Sequence, residues 1–471
     1  MNDRRFGATL APEMTRKLLV LNVATLHPAA VRAHTSHLRG LAESGSLRDL
    51  QTAFPSLSCS SHATMLTGQP PSAHGIVGNG WYDRDYAKIF MWQRSSHMVG
   101  GETLWEAARK RQPGLRCANL FWRYCADSSC DTIVTERPAY WASGRKTFDF
   151  HTTPAGLHDE LKARFGNLPF QRFWGPMAGV GSTQWILNVA HHIMSQQAPE
   201  LLLVYAPFLD YDAERFGPQS PQWIQALQRM DREVVFLLEA ARAEGRDIAI
   251  VSDYGWCAVQ RPILINRALR QAGLLEVERL PNGERLEAGS SRAFAVVDNQ
   301  VAHVYVANRE DLASVRTLLE DLDGVDQVLD RDGQAALGID HARSGDLVAI
   351  SDASSWFAYP YWLEPEAAPD FEHCIAIFDK IGWDPTEILL RPGLGGYLRM
   401  GLRVLQKQMR LAVPYDVCSG DPYRIRASRN ARSADAGDQG AALITSWPLE
   451  HEGAVSMAAL KDIFLQRMFS Q

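Results

Sequence analysis

The sequence predicts an α/β protein with a mostly parallel central sheet. Three short and almost continuously apolar runs support this prediction, at Leu18–Val23, Leu201–Tyr205 and Ile248–Val251. Such runs are typical of parallel strands that are covered on both faces. Between them, apolar residues recur at helical spacing in Trp185–Gln196 and Gln222–Ala243. Strands that alternate with helices along a chain indicate an α/β fold.

The chain has 471 residues, and single α/β cores usually stop growing near ~300, so an inserted segment is expected. We predict one domain over residues 15–471. A cap-like insertion is expected at 117–176, where aromatic and turn residues are frequent and periodicity is weak. Further apolar segments predict a small α+β lobe at 290–352. Residues 428–440 are rich in Ser, Asp and Gly and are predicted to form a mobile loop.

Composition and charge exclude several classes of function. The net charge is −6 and no segment concentrates Lys and Arg, so the basic footprint of a nucleic-acid-binding protein is missing. The first apolar run, Leu18–Val23, has only six residues, too few for a membrane span or the core of a signal peptide. The seven cysteines are odd in number and include no Cys-x-x-Cys pair. We therefore expect a cytoplasmic protein with reduced thiols, no membrane partner and a small-molecule substrate.

The segment Ala53–Gly68 (AFPSLSCSSHATMLTG) contains the first candidates for chemistry. Ser58 lies at the start of a predicted helix, where free N–H groups favour an anion and a hydroxyl can act as a nucleophile. His62 follows one helical turn later and is a candidate general base for that hydroxyl. A serine at this position can equally be a helix N-cap, and this segment alone leaves that alternative open.

Carboxylates follow the second and third apolar strands. Asp210 and Glu214, in LDYDAERFGP, are four residues apart and share one face if the segment is helical. Asp253, in VSDYG, follows the next strand. Loops after the carboxyl ends of parallel strands lie at one edge of the sheet, so these side chains are expected to converge near Ser58 and to bind a hard cation. A helix start with a solvated acidic face is the alternative.

Three further residues are predicted to contact the substrate. The Gly-rich turn within PSAHGIVGNGWYDRD presents Asn79 and Trp81. His303 lies in the predicted strand FAVVDNQVAHVYV and is the third candidate. His341, in the turn DHARSGD, is a further candidate metal ligand, as is His303.

Taken in order, these segments resemble the type I phosphodiesterase/nucleotide pyrophosphatase branch of the alkaline phosphatase superfamily. The motifs FPSxSxxxHATxLTG, HGIxGNGWYD, DxxxExFGP and SDYG carry the resemblance, which extends over roughly Leu18 to Trp383. It implies an alkaline-phosphatase-like three-layer sandwich that acts on a small phosphate ester or phosphodiester. It also implies two metal ions, commonly zinc, beside a Thr or Ser hydroxyl that attacks phosphorus.

The resemblance is only partial at the metal ligands. Ser58 holds the position of the nucleophile, Asp210 and Asp253 are retained, and Glu214 replaces a histidine. The other ligand positions correspond to residues that cannot bind a metal in the usual way, namely Ala24, Tyr254 and Phe378.

The remaining donor set consists only of oxygen atoms, which disfavours zinc. One divalent cation at most is expected, with Mg²⁺, Mn²⁺ or Ca²⁺ preferred, and no organic cofactor is predicted. The leading hypothesis is a phosphate-ester hydrolase or transferase with a Ser58 nucleophile and a reduced metal site. Two alternatives stay open: a degenerate scaffold that binds a partner, and a metal-free group-transfer enzyme that uses Ser58 with His62.

Overall fold

The structure, a computed structural model, describes residues 15–142, 146–409, 411–432, 440–450 and 452–470. Within these residues the strands, in chain order, are β1 (Leu18–Val23), β2 (Ser46–Gln51), β3 (Gly80–Asp83), β4 (Lys88–Met91), β5 (Cys117–Leu120), β6 (Thr132–Tyr140), β7 (Lys146–Thr153), β8 (Leu201–Ala206), β9 (Asp247–Val251), β10 (Trp256–Ala258), β11 (Arg261–Ile263), β12 (Val277–Leu280), β13 (Gly283–Leu286), β14 (Ala293–Asp298), β15 (Val301–Val306), β16 (Val325–Leu329), β17 (Leu347–Ser351), β18 (Ser355–Phe357), β19 (Ala427–Arg429), β20 (Ala441–Thr445) and β21 (Val455–Ser456). The α-helices are α1 (Pro28–His34), α2 (His37–Ser44), α3 (Ser58–Thr67), α4 (Pro71–His74), α5 (Leu104–Arg111), α6 (Leu157–Phe165), α7 (Phe170–Phe173), α8 (Val180–Gln197), α9 (Leu209–Phe216), α10 (Pro221–Glu233), α11 (Val235–Ala243), α12 (Ile265–Gln271), α13 (Leu312–Glu320), α14 (Arg331–Ala336), α15 (Gly393–Gln408) and α16 (Leu460–Phe469).

A nine-stranded sheet forms the centre of the described residues, in the order β21-β2-β20-β9-β1-β8-β5-β6-β7. Strand β1 pairs in parallel with β8 and β9, and β5 extends the parallel part by pairing with β8 and β6. Strands β7 and β20 are antiparallel to their neighbours. The predicted α/β fold with a mostly parallel central sheet is therefore confirmed.

The elements with the clearest apolar pattern lie close to where the sequence predicts them. Strand β1 has the predicted bounds, and β8 and β9 are each one residue longer than predicted. The predicted helix Gln222–Ala243 is instead two helices, α10 and α11, which meet at Val234. The backbone at Val234 stays near the helical region, with φ −81° and ψ −18°, so the apolar periodicity continues across the junction.

The segment 117–176 was predicted to leave the sheet as a cap, and this prediction was wrong for its strands. Strands β5, β6 and β7 extend one side of the central sheet. The sequence pattern that would predict these strands is weak, because β5 has only four residues and the outer half of β6 is largely exposed. The segment still contributes to the cavity of the candidate site, through the ends of β6 and β7 and through Arg123, Phe170, Phe173 and Trp174.

Residues 290–352 contain a second sheet, which is antiparallel and four-stranded within the described part, in the order β14-β15-β17-β16. Helices α13 and α14 belong to the same stretch. The tight turn between β14 and β15 contains Asn299, with φ 59°, a conformation that Asn tolerates better than most residues. This turn connects the second sheet to the candidate site, because Asn299 accepts hydrogen bonds from the segment of β19.

Two further findings concern membranes and thiols. Among the described residues, no helix has both the length and the apolar character that crossing a bilayer requires. All seven cysteines lie in the described ranges as free thiols, and six are buried. Burial raises the pKa of Cys59 to about 11, so this thiol is protonated at neutral pH.

His303, a predicted substrate contact, has a structural position inside β15. Its Nδ1 accepts a hydrogen bond from the N–H of Gly345 at 3.2 Å. Nε2 therefore carries the proton and donates to the carbonyl of Val77 at 3.0 Å. The residue is 1% exposed and does not line the cavity of the candidate site, so the predicted substrate contact is not made.

We expect acid to destabilise the protein partly through His303. Burial lowers the pKa of His303 from 6.5 to about 4. Unfolding therefore takes up a proton between these values, and the free energy of unfolding falls as the pH drops below 6.5. Between about pH 7.5 and about pH 5, this one group should contribute a loss of about 2 kcal/mol. Urea unfolding of the wild type and of His303→Gln at both pH values measures the effect. An unchanged pH dependence in the variant would refute it.

Candidate active site

The candidate site lies where the parallel strands of the central sheet end. Val23 of β1 and Ala206 of β8 are paired in register, so the segments that follow these strands start side by side. Asp210 lies in the first turn of α9, which follows β8. Asp253 and Tyr254 follow β9 directly. Side chains from three segments that are distant in the sequence thus meet at one edge of the sheet.

Ser58 is the first residue of α3 and is buried. It is not the N-cap, because Leu57 holds that position and makes no side-chain cap. The Ser58 hydroxyl instead donates to the phenol oxygen of Tyr254 at 3.4 Å, and this phenol donates to Oδ2 of Asp210 at 2.6 Å. The predicted approach of Ser58 to a carboxylate is therefore made through a tyrosine.

Arg429 is a buried arginine that the sequence analysis did not single out. Its Nη2 donates to Oδ2 of Asp210 at 3.3 Å. Its guanidinium carbon lies 4.4 Å from the ring centroid of Tyr254 and 4.8 Å from that of Trp383. Burial opposes the charge, but Tyr254 and Asp210 raise the pKa of Arg429 above its ordinary value. The side chain is 3% exposed, and its Nε and Nη1 have no acceptor among the described residues.

The backbone of Arg429 is held from two directions. Strand β19 pairs with β10, which places Arg429 opposite Trp256 and close to the chain that carries Tyr254. Oδ1 of Asn299 accepts from the Arg429 N–H and from the Ser428 hydroxyl, each at 3.1 Å. The predicted mobile loop at 428–440 therefore begins in a strand, because these contacts fix it. Residues 433–439 of that prediction lie outside the described residues.

Arg123 is a second arginine of the site; it is partly buried and lies shortly after β5. Its Nη1 pairs with Oε1 of Glu136 at 2.8 Å, and its guanidinium carbon lies 5.1 Å from the ring centroid of Trp92. Burial opposes its charge, whereas Glu136 raises the pKa of Arg123, with a net shift above the ordinary value. Nε of Arg123 has no acceptor in the described part of the chain. Two permanent cations thus flank Ser58.

His62 has partners other than the Ser58 hydroxyl at both ring nitrogens. Nδ1 accepts from the backbone N–H of Arg123 at 3.0 Å, so the proton lies on Nε2. Nε2 is 2.7 Å from the Asn22 amide and 3.3 Å from Oδ2 of Asp253. Burial lowers the pKa of His62, which keeps the ring neutral. The geometry therefore gives no support to His62 as the general base for Ser58.

Three other positions correspond to metal ligands of the family, but none has a side chain that is ready to bind a metal ion. Burial raises the pKa of Glu214 well above its ordinary value, although Arg429 opposes this shift. Ala24 is buried directly after β1, and Phe378 lines the cavity with an apolar ring. Burial also raises the pKa of Asp210, to about 7, against the effect of Arg429.

These residues do not fit the metal centre that the resemblance implies. In the ranges that the structure describes, no three His, Cys, Asp or Glu side chains are grouped so that they could hold a metal ion. Tyr254 and Arg429 donate to the same oxygen of Asp210, while Asp253 faces His62. Asp210 and Asp253, which were expected to share one cation, are therefore bonded to different side chains, and neither carboxylate oxygen of Glu214 has a hydrogen-bond partner among the described residues.

Asn79 and Trp81, two predicted substrate contacts, have structural partners instead. Oδ1 of Asn79 accepts the N–H of Cys59 at 3.0 Å and so caps the first turn of α3. The Asn79 amide donates to Asp298 at 3.0 Å. Trp81 is 1% exposed and lies 4.6 Å from the guanidinium carbon of Arg343. Neither residue lines the cavity beside Ser58, because both are packed behind α3 and its neighbours.

A cavity of about 320 Å³ opens beside Ser58. Ten of the residues that line it are aromatic, namely Trp92, Tyr140, Phe148, Phe170, Phe173, Trp174, Tyr205, Tyr211, Phe378 and Trp383. The charged side chains of the wall are Arg94, Arg123, Glu136, Lys146, Asp210, Asp379 and Arg429. Such a cavity suits an anionic group that carries an apolar or aromatic substituent.

Arg123 and Arg429 could not be singled out from the sequence. The chain contains 48 Lys and Arg residues, and no local motif marks these two. Arg123 lies in the segment predicted to be a cap, and Arg429 in the segment predicted to be a loop. The sequence contains only an indirect signal, since a chain that replaces cationic metals must place its own cations near the retained carboxylates.

The fold defines the class of protein, an α/β fold of the alkaline phosphatase type. One similar solved structure is phosphonoacetate hydrolase from Sinorhizobium meliloti 1021, with a TM-score of 0.61 and 15% identity. Another is an inactive form of murine ectonucleotide pyrophosphatase/phosphodiesterase 5 in complex with AMP, with a TM-score of 0.59 and 12% identity. Each comparison covers 97% of this chain and 96% of the other, and at these identities it shows the fold alone.

A family model described as type I phosphodiesterase/nucleotide pyrophosphatase matches residues 18–374, and the chain belongs to that family. An uncharacterized pyrophosphatase/phosphodiesterase from Schizosaccharomyces pombe is 23% identical over 294 residues, which are 59% of this chain and 51% of the relative. Mouse ectonucleotide pyrophosphatase/phosphodiesterase family member 1 is 22% identical over 216 residues, or 44% of this chain and 20% of the relative. The chain thus spans about half of the first relative and a fifth of the second. The resemblance identified from the motifs is confirmed.

We expect the purified protein to carry well under one zinc ion per chain. The reason is that Ala24, Tyr254 and Phe378 supply no zinc ligand and that Arg429 is bonded to Asp210. Elemental analysis by mass spectrometry after dialysis against a chelator measures the metal content. Stoichiometric zinc that survives the dialysis would show that other side chains form a zinc centre.

Proposed function

We propose that the protein hydrolyses small phosphate esters or phosphodiesters, with the Ser58 hydroxyl as nucleophile. The observation that carries this proposal is the hydrogen-bonded series Ser58–Tyr254–Asp210, whose two end residues line a cavity that Arg429 also lines. The series provides a hydroxyl, a path for its proton and a fixed positive charge within one site. Membership in a family of phosphodiesterases and nucleotide pyrophosphatases supports this reaction class.

In the first step, Oγ of Ser58 forms a bond to phosphorus as the bond from phosphorus to the alcohol oxygen breaks. The hydroxyl proton passes to the phenol oxygen of Tyr254, whose own proton moves to Oδ2 of Asp210. The directions of the two hydrogen bonds support this transfer, since each hydroxyl donates to the next group. The leaving alkoxide takes a proton from solvent, and Ser58 becomes a phosphoester.

In the second step, a water molecule attacks the phosphorus and the Ser58 Oγ–phosphorus bond breaks. Oγ recovers its proton from Asp210 through Tyr254. The attacking water keeps one proton on the phosphate product and releases the other to solvent. This release balances the proton that the leaving alkoxide took from solvent in the first step. The products are the alcohol and a phosphate or phosphate monoester, and the side chains return to their starting state.

The geometry disfavours the alternative in which Ser58 and His62 act together. Both nitrogens of His62 are occupied, since Nδ1 accepts from the backbone N–H of Arg123 and Nε2 donates to the carboxylate of Asp253. The ring also packs against Tyr205, with centroids 4.8 Å apart. His62 therefore serves to position the edge of the sheet, and Tyr254 is the group that receives the Ser58 proton.

The aromatic wall of the cavity supports a substrate whose organic part is apolar or aromatic. Phe148 and Phe170 are stacked, with ring centroids 4.4 Å apart, and Trp174 lies on the same wall. Burying a flat ring against such a wall removes apolar surface from water and adds favourable ring contacts. Polar alcohols such as glycerol would gain little there.

Ser58→Ala should abolish turnover of p-nitrophenyl phosphate and bis-p-nitrophenyl phosphate. We expect a loss of at least about a thousandfold in kcat/KM, because the nucleophile is removed. The fold should persist, since Ser58 is not the N-cap of α3 and its hydroxyl makes one long hydrogen bond. Release of p-nitrophenolate measures activity, and thermal unfolding measures the fold.

Ser61→Ala is the matched control for this experiment. Ser61 lies on the same helix, is fully buried, and its hydroxyl has no hydrogen-bond partner among the described residues. Its removal should leave turnover within about twofold of the wild type. Full activity in Ser58→Ala would exclude the proposed nucleophile. A wild type that is inactive on every ester, with Ser58 unlabelled by a fluorophosphonate, would favour a scaffold that only binds.

The aromatic wall predicts a preference for a phenyl over a methyl substituent on phosphorus. Two substrates that share the same leaving group can measure this preference. We expect p-nitrophenyl phenylphosphonate to have a KM about 5- to 30-fold below that of p-nitrophenyl methylphosphonate, which corresponds to about 1–2 kcal/mol of ring burial. Phe170→Ala should reduce this ratio while changing the KM of the methyl compound much less. Equal KM values for the two compounds in the wild type would contradict the assignment of this wall to the substrate.

A further inference from the structure

The site contains buried donors that no part of the described chain satisfies. Nε and Nη1 of Arg429 and Nε of Arg123 have no acceptor among the described residues. Buried donors of a charged group are costly unless they are paired, and most proteins pair them. Because both side chains line the cavity that contains Ser58, a ligand in this cavity is the natural partner for these donors.

The two guanidinium groups also act on each other. Burial and the nearby Arg429 both lower the pKa of Arg123, an effect that Glu136 opposes. Placing two like charges at the wall of one cavity is unfavourable without an anion between them. Among the described residues, each arginine has only one carboxylate hydrogen-bonded to it, Glu136 for Arg123 and Asp210 for Arg429. Part of each guanidinium is therefore left for a third anion.

We propose that Arg429 and Arg123 form an oxyanion-binding site that takes the place of the metal centre and holds the phosphoryl oxygens of the substrate beside Ser58. This inference rests on the proposed function and names the groups that bind and polarise its substrate. Guanidinium groups donate several N–H bonds to phosphate oxygens and keep their charge at any physiological pH. They also stabilise the negative charge that develops on phosphoryl oxygens during transfer.

The structure holds Arg429 rigidly enough for this role. Its guanidinium lies between the rings of Tyr254 and Trp383, and its backbone is fixed by Asn299 and by the pairing with β10. Binding an anion therefore requires little further ordering of the side chain. The same contacts argue against a cation at this place, since an ion on Asp210 would meet the guanidinium that is already bonded to it.

Binding of inorganic phosphate to the full chain tests the inference directly. After dialysis against EDTA, isothermal titration calorimetry should detect one phosphate per chain, with an affinity that stays within about twofold when EDTA is present. Arg429→Gln should weaken binding by at least about tenfold, and Arg429→Lys should fall between it and the wild type, because lysine keeps the charge and loses the planar fork.

Two further variants guard against loss of folding and against nonspecific charge effects. Arg429→Gln leaves Asp210 without its cation, so the double variant Arg429→Gln/Asp210→Asn removes both charges and should fold while still binding phosphate weakly. Arg432→Gln removes a nearby arginine whose ion pair with Asp326 is partly exposed. This control should bind phosphate like the wild type, because Arg432 does not line the cavity.

The outcomes separate this inference from the proposed reaction. Ser58→Ala should bind phosphate as the wild type does, and this result would stand even if Ser58 proved not to be the nucleophile. Phosphate binding that EDTA abolishes and that Zn²⁺, Mn²⁺ or Mg²⁺ restores would overturn the inference in favour of a metal site. Wild-type affinity in a folded Arg429 variant would overturn it as well.

Discussion

The contact between Asp210 and Arg429 is the constraint on which the rest of the site depends. A carboxylate and a guanidinium are both withdrawn from water here, which is costly for each group by itself. The pair is tolerable because Tyr254 donates to the same carboxylate and because two aromatic rings flank the guanidinium. The position of the Ser58 hydroxyl follows from this arrangement, since its partner is the phenol that Asp210 orients.

The second sheet contributes to the site through its turns. Asn299, in the turn between β14 and β15, accepts from the backbone of Arg429 and so fixes the end of β19. The neighbouring Asp298 accepts from Asn79, which caps the helix that begins at Ser58. One tight turn therefore helps to position both Ser58 and Arg429, which belong to segments far apart in the sequence. The packing of the two sheets and the geometry of the site are consequently coupled.

In the proposed site, the family scaffold is kept while the source of positive charge changes. The family fold and the carboxylates Asp210 and Asp253 are present, but Ala24 and Tyr254 stand where the resemblance places metal ligands. Tyr254 fills the space with a phenol, and Arg429 brings a permanent charge to the carboxylate that remains. Phosphoryl transfer requires positive charge near the phosphoryl oxygens and a positioned hydroxyl, and either metals or guanidinium groups can meet that requirement. Fold similarity by itself does not distinguish these solutions.

The sequence by itself determined the parallel strands β1, β8 and β9 and the segments that follow them, because strands buried on both faces leave continuous apolar runs. Asp210 could be found in the same way, from its place after β8, and Ser58 from the helix start that the segment Ala53–Gly68 predicts. Only the tertiary structure decided that His62 is occupied elsewhere and that Arg429, 219 positions from Asp210, completes the site. The physical reason is that hydrogen bonds and ion pairs between distant segments leave no local periodicity, whereas burial of a strand or a helix face does.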